Sequence, residues 1–191
     1  MSLGNDPVDT DDDFYATDKF TDVACDFISD ACDSDDRPFF LYLAYNAPHW
    51  PLNAKVKDFE KYKGKYTAGW DALMKNRLAK QVEIGLFPPD TAAAPHEGPV
   101  WNGLKDKKRE ELDAIMAAYA GCIDSIDQNI GKLDQHLKEQ GLFDNTMVVY
   151  LVDNGPNSMR FAGPFRGMKA TVHEGGIRSP FFVRWPERLR P

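Results

Sequence analysis

Hydrophobic positions along the chain fall into two patterns, helical stripes and short unbroken apolar runs. Ile115, Tyr119, Cys122, Ile126, Ile130, Leu133 and Leu137 recur every three or four residues. Such a stripe forms one face of an amphipathic helix, here about Lys107 to Gln140, with Gly141 suited to terminate it in the left-handed conformation. Phe20, Val23, Ala24, Phe27, Ile28 and Ala31 repeat at the same spacing and predict a helix from Thr17 to about Cys32. Thr17 or Asp18 is the expected N-cap. A shorter helix is expected around Asp71–Gly85 within the basic, aromatic, glycine- and proline-broken stretch 53–108.

The apolar runs are Phe39–Tyr45, Met147–Val152 and Pro180–Trp185. The first two lack the alternation of a half-exposed strand and so predict strands buried on both faces. Strands separated by long helices predict an α/β fold, with helices packed on a mainly parallel or mixed central sheet. The stretch 53–108 is then a candidate wall for a binding site.

Composition narrows the functional classes. The 191 residues suffice for one substantial core or two small ones. A hydrophobic content of 42% with 28% charged residues is that of a soluble globular domain. A net charge of −7, with Lys and Arg dispersed among acids, argues against a nucleic-acid partner. No apolar stretch approaches the ~18 residues of a membrane span, so no membrane partner is expected. The first residues lack the basic-then-apolar order of a secretory signal. Residues 1–13, with Asp6, Asp9, Asp11, Asp12 and Asp13, form an acidic segment expected to be disordered. Cys25, Cys32 and Cys122 make no CxxC pair and are expected to be small packing residues.

The candidate chemistry sits where the apolar runs stop. Met147–Val152 ends at Asp153-Asn154-Gly155. The carboxyl edge of a parallel sheet is where ligands bind, and adjacent carboxylate and carboxamide oxygens suit Ca²⁺ or Mg²⁺. Asn-Gly is equally an ordinary turn dipeptide. His49, between Pro48 and Pro51 just past the other run, is either a general acid or anion ligand, or a structural histidine. Lys169 lies in FRGMKAT (Phe165–Thr171), beside Glu174, Gly175 and Gly176. Glycines there permit close approach to an anion, although the stretch lacks the GxxxxGK[ST] phosphate loop, and a solvated lysine is the plain alternative. His136, off its helix stripe, is expected in solvent; His96 falls in the loose loop and His173 has no recognisable spacing. If the strands are parallel, His49, Asp153, Asn154 and Lys169 face one crevice. Metal and lysine would stabilise charge on a tetrahedral sulfate or phosphate ester, and histidine would assist the leaving group.

These residues lie in five ordered segments that resemble the sulfatases of the alkaline phosphatase superfamily, in particular the bacterial arylsulfatase-like branch. FYATD (Phe14–Asp18) opens the match. PFFLYLAYNAPHWP (Pro38–Pro51) resembles the family's strand and PHxP loop. KYTAGWD (Lys65–Asp71) with RLAKQ (Arg77–Gln81) resembles its GWD…R segment. GLFDNT (Gly141–Thr146) through Asp153-Asn154-Gly155 resembles the metal-binding strand, and RGMK (Arg166–Lys169) with EGGIRSP (Glu174–Pro180) resembles its RGxK…EGGxRxP run. The resemblance extends to Trp185-Pro186. It implies that Asp153 and Asn154 are metal ligands for Ca²⁺ or Mg²⁺, that Lys169 and His49 contact the sulfate as catalytic and substrate-binding residues, and that the substrate is a small-molecule or saccharide sulfate ester. The family nucleophile is a formylglycine made from the Cys or Ser of a C/S-x-P/A-x-R motif.

No cysteine or serine here heads that motif. On this reading residues 14–191 are the middle of a sulfatase catalytic domain, truncated at both ends and inactive as supplied, its exposed sheet edges prone to self-association. A periplasmic or secreted location is expected of the intact enzyme. The alternatives are a phosphoesterase or phosphonate hydrolase of the same superfamily, and a noncatalytic module that keeps half a metal site. Val152 stands where serine commonly precedes Asp-Asn-Gly, and Met168 and Ala170 replace the usual glycines around the lysine.

Overall fold

The structure, a computed structural model, describes residues 2–7, 9–10, 12–34, 38–93, 99–157, 162 and 164–190. The chain divides into two compact units, residues 1–63 with 115–143 and residues 64–114 with 144–191. Of the expectations above, His96 and Asp11 lie outside the described residues.

In the first unit, β1 (Ser2–Leu3) and β2 (Asp6–Pro7) form a short antiparallel hairpin, followed by α1 (Ala16–Ser34) and α2 (Val56–Glu60). From Ile115 onward, α4 (Asp106–Glu139) completes it. The stripe predicted for α4 is inward: Cys122, Ile126 and Leu137 are buried, as are Ala24, Cys25 and Ile28 of α1. Gly141 ends α4 at φ 70°, as the sequence predicts. Polar links join the helices beside this apolar contact. Asn129 Nδ2 donates to Asp18 Oδ1 at 2.7 Å, and Lys55 Nζ reaches the same carboxylate oxygen at 2.6 Å. α2 lies against α4 at Gly121, where an added Cβ would stand 3.1 Å from the backbone of Asp58 and Phe59.

Asp58 has no exposed side-chain surface; its Oδ1 accepts from Lys61 at 2.9 Å and Gln128 at 3.1 Å. Lys61 and Gln128 also reach Asp124, at 2.9 and 2.8 Å. These hydrogen bonds to two carboxylates hold the Lys61 ammonium above the ordinary lysine pKa.

Besides Cys32, which is exposed where Cys25 and Cys122 are buried as expected, three sequence expectations change in this unit. The Lys19 N–H bond to Tyr15 O starts α1 early, so Thr17 and Asp18 occupy its first turn rather than its cap. There Asp18 complements the helix dipole while binding Lys55 and Asn129. His136 is half-buried, its Nε2 3.1 Å from Ser29 Oγ, because α1 covers that side of α4. Phe39–Tyr45 is not paired as a strand among the described residues, and its exposure alternates along the run. Tyr45 Oη meets Thr21 Oγ1 at 2.7 Å, whereas Phe40 and Tyr42 are 93% and 80% exposed. One face packs on α1; the other has no layer over it, so burial on both faces is not realised.

In the second unit, α3 (Trp70–Glu83) follows a chain of turns, and a 3₁₀ turn (Trp101–Gly103) precedes the start of α4. Trp101 is its aromatic centre. The indole packs edge-on to Trp70 at 5.0 Å, donates Nε1–H to Thr67 O at 3.0 Å, and fills the space a Cβ on Gly69 would need. Gly69 also has φ 85°, so the glycine of the GWD segment is required twice over. Buried Asp113 accepts the amides of Gly64 and Tyr66, both at 2.8 Å.

The remaining elements are β3 (Val148–Leu151), α5 (Glu174–Ile177) and β4 (Phe181–Arg184). β3 and β4 pair antiparallel with Val149 opposite Val183 and Tyr150 opposite Phe182. The apolar run that predicts a doubly buried strand does form a strand, but Leu151 is 54% and Phe181 64% exposed. Two strands cannot cover both of their own faces; that takes flanking strands and a helix layer on each side.

Two outcomes test these contacts. Asp113→Ala should lower unfolding stability by about 3 kcal/mol in denaturant titrations, since two amides lose a charged acceptor. Partial burial opposes ionisation of Asp18, but hydrogen bonds from Lys55 and Asn129 outweigh it and hold the carboxyl below its usual pKa. A depressed folded value stabilises above the unfolded pKa of about 3.9 and loses that contribution as pH falls through the folded value. Denaturant midpoints measured below about pH 4 should therefore fall more steeply for the wild type than for Asp18→Asn.

Candidate functional site

The site begins where β3 ends. Val152 is held on both sides: its N–H donates to Pro180 O at 3.2 Å, and its carbonyl accepts Ser179 Oγ at 2.6 Å. These bonds extend the β3–β4 ladder by one residue and fix the point at which Asp153 leaves it. Two residues later the chain is pinned again, by Gly155 N–H to Gly176 O at 2.8 Å. Asp153 and Asn154 thus occupy a two-residue span with both ends anchored, Asp153 exposed and Asn154 half-buried.

The anchor at Gly155 is a backbone-to-backbone contact that only glycine permits. A Cβ there would fall on the carbonyl oxygen of Gly175. Gly175 in turn donates to Arg166 O at 2.8 Å, and a Cβ on it would strike Gly167 O. A Cβ on Gly176 would strike Thr171 O. The EGG sequence opening α5 is therefore a close-approach surface, against which both the Asp153 loop and the 166–171 loop lie.

Lys169 is carried by that second loop. Its N–H donates to Pro156 O at 2.8 Å, so the lysine backbone is bonded to the segment that bears Asp153 and Asn154. Lys169 is half-buried and sits at the corner of a turn closed by Thr171 N–H to Met168 O at 3.0 Å. The following residue, Ala170, has φ 70°, the positive value that the third position of a type II turn requires. For a residue with a Cβ this conformation carries about 1–2 kcal/mol of strain. Beside the loop, Arg178 bonds Glu174 at 2.8 Å and stacks on Phe165 at 4.5 Å.

The structure thus brings Asp153, Asn154 and Lys169 onto adjoining, mutually bonded loops. His49 belongs to the first unit. Its loop is closed by His49 N–H to Asn46 O at 2.9 Å. Nδ1 lies 2.7 Å from Trp50 O, and a carbonyl only accepts, so Nδ1 carries the proton and Nε2 is the basic nitrogen of the neutral ring. The side chain is exposed. His173 contributes through its backbone, accepting the Gly176 amide at 2.8 Å.

Asp153 and Asn154, adjacent in sequence, offer hard oxygen donors, which fits a hard cation such as Ca²⁺ or Mg²⁺. They make up part of the six to eight oxygens that Ca²⁺ takes. Among the described residues no group of three or more His, Cys, Asp or Glu side chains converges, so the pair fits as a partial ligand set. Sequence reasoning singled out these residues and missed their supports. Ser179, Thr171 and the steric roles of Gly155, Gly175 and Gly176 have no signal in periodicity; the recurrence of glycine on both sides of Lys169 was the available hint.

Comparison with known proteins converges on one family. The family model described as Sulfatase matches residues 3–191. An uncharacterized sulfatase of Schizosaccharomyces pombe is 31% identical over 231 residues, covering 98% of this chain and 41% of the relative. The arylsulfatase of Klebsiella aerogenes is 31% identical over 147 residues, covering 76% of this chain and 31% of its own length. Among solved structures, Ps i-CgsB in complex with k-i-k-neocarrahexaose superposes with a TM-score of 0.58 at 28% identity, over 96% of this chain and 30% of that one. The chain therefore spans well under half the length of the proteins it matches.

The glycine contacts give a sharp contrast. Gly175→Ala should cost about 3 kcal/mol in denaturant titrations, since backbone must move to admit the Cβ. Gly131→Ala, in the interior of α4 with nothing within 4 Å, should instead stabilise by about 0.5–1 kcal/mol.

Proposed function

The chain belongs to the sulfatase family, and from that membership we propose that residues 14–191 supply part of the catalytic domain of a sulfate ester hydrolase. The observation that carries the reading is the bonding of the Lys169 loop to the Asp153 loop, through Lys169 N–H to Pro156 O and Gly155 N–H to Gly176 O. It keeps a compact cation and two hard oxygen donors on one bonded backbone scaffold, the combination a sulfuryl group needs.

In this proposal Asp153 and Asn154 hold part of a Ca²⁺ or Mg²⁺ site. The bound metal would supply positive charge to the nonbridging oxygens of the ester. Lys169 places its ammonium on those same oxygens and stabilises the charge that grows on them in the transition state. His49, with Nδ1–H given to Trp50 O, offers Nε2 for proton traffic at the leaving oxygen. The family's formylglycine nucleophile is expected in the intact enzyme and comes from outside the residues of this chain. The substrate class is a small-molecule or saccharide sulfate ester; the oligosaccharide bound by Ps i-CgsB supports the saccharide form.

Calcium titration calorimetry on this chain tests the metal half of the proposal. Binding with Kd on the order of 10⁻⁴–10⁻³ M is expected, as for sites with few protein ligands. Loss of that heat in Asp153→Ala supports the assignment, and unchanged binding overturns it. In the complete gene product, Lys169→Ala should reduce kcat/KM for an aryl sulfate by about 10²–10³-fold, the scale of one lost transition-state contact.

A further inference from the structure

The loop that carries Lys169 has a clamp of its own. Thr171 closes it three times over. Its N–H donates to Met168 O at 3.0 Å; its Oγ1 donates to the same carbonyl at 2.8 Å; and Oγ1 accepts the Met168 N–H at 3.2 Å. The hydroxyl is therefore both donor and acceptor to one residue, and Lys169 and Ala170 are the two residues it encloses. Gly167, at φ 88°, packs against the clamp so closely that a Cβ would fall on Thr171 Oγ1. The Thr171 carbonyl borders Gly176, whose own carbonyl accepts the Gly155 amide. One side chain thus sits between the lysine turn and the anchor of the Asp153 loop.

The strain at Ala170 shows what the clamp works against. Ala170 is the only described non-glycine residue with positive φ, and it directly follows Lys169. Such a conformation persists only where neighbouring contacts over-determine it. The two hydroxyl bonds of Thr171 are those contacts. We infer that Thr171 is a positioning residue for Lys169: its hydroxyl holds the strained turn that carries Lys169, whose backbone is bonded to the segment following Asp153 and Asn154. The inference rests on the reading of Lys169 as the anion-binding cation.

The test follows inorganic sulfate binding to the full 191-residue chain by NMR titration, read at the Lys169 and Asn154 amides. Lys169→Ala serves as reference. Thr171→Val keeps shape and removes the hydroxyl; Thr171→Ser keeps the hydroxyl. Loss of two hydroxyl bonds should weaken sulfate binding about tenfold in Thr171→Val, with Thr171→Ser within about twofold of wild type. Exchange of the Lys169 amide, bonded to Pro156 O, should quicken in the valine variant and not in the serine variant. Should valine disturb folding, Thr171→Ala removes the hydroxyl without crowding and should show the same tenfold loss, about 1.4 kcal/mol. Wild-type sulfate affinity in the hydroxyl-free variant, with binding lost in Lys169→Ala, overturns the positioning role alone. Sulfate binding that survives Lys169→Ala overturns the role of Lys169 and the inference with it.

Discussion

The candidate site depends on how closely three stretches of backbone approach one another. Gly155, Gly175 and Gly176 each meet a carbonyl oxygen where a Cβ would stand. With side chains there, the Asp153 loop and the Lys169 loop would separate by the thickness of a methyl group, and their mutual amide bonds would be lost. Glycine's tolerance of close approach is thus what brings together the backbone segments that carry Asp153, Asn154 and Lys169. The strain at Ala170 belongs to the same economy, since a turn tight enough to present Lys169 needs a positive φ in its third position.

The first unit is held differently. Its helices meet over small residues, and polar groups at the same contact are bonded across it, although Asp58 Oδ2 is buried with no hydrogen-bond partner among the described residues. Asp58, without exposed side-chain surface, takes two donors on one oxygen, and those donors reach on to Asp124. A carboxylate removed from water is stable only with such partners. The PHxP loop continues from a segment whose Tyr45 hydroxyl is bonded to Thr21 of α1, which ties the chain leading to His49 to a helix. The second unit keeps an apolar surface on β3 and β4, with Val149, Leu151, Phe181 and Phe182 exposed. Two strands alone leave such a surface uncovered, since a doubly covered strand takes flanking strands and a helix layer on each side.

Much of this was legible in residue order. The α4 stripe gave a helix whose observed ends, Asp106 and Glu139, lie within one residue of those expected, because every third or fourth apolar residue must face one way. The abrupt stop of an apolar run at Asp153-Asn154-Gly155 marked the loop that became the centre of the site. Other readings failed for physical reasons. Thr17 looked like a cap, but a backbone bond from Lys19 to Tyr15 places the cap two residues earlier. His136 lies off the apolar stripe, yet the polar flank of α4 meets Ser29 of α1. Residue type alone cannot say whether a polar flank faces water or another helix.

Sequence by itself determined the three long helices, the strands β3 and β4, the family resemblance and the candidate site residues. These follow from local periodicity and from motifs whose chemistry is written in their side chains. Only the tertiary structure decided what holds Lys169 to the Asp153 loop, why three glycines cannot be replaced, and which apolar strand faces remain uncovered. Those properties depend on distances between segments far apart in sequence, set by backbone contacts that leave no periodic trace. Thr171 shows the difference: in the sequence it is a threonine two residues after a lysine, and in the fold it closes the turn that carries that lysine.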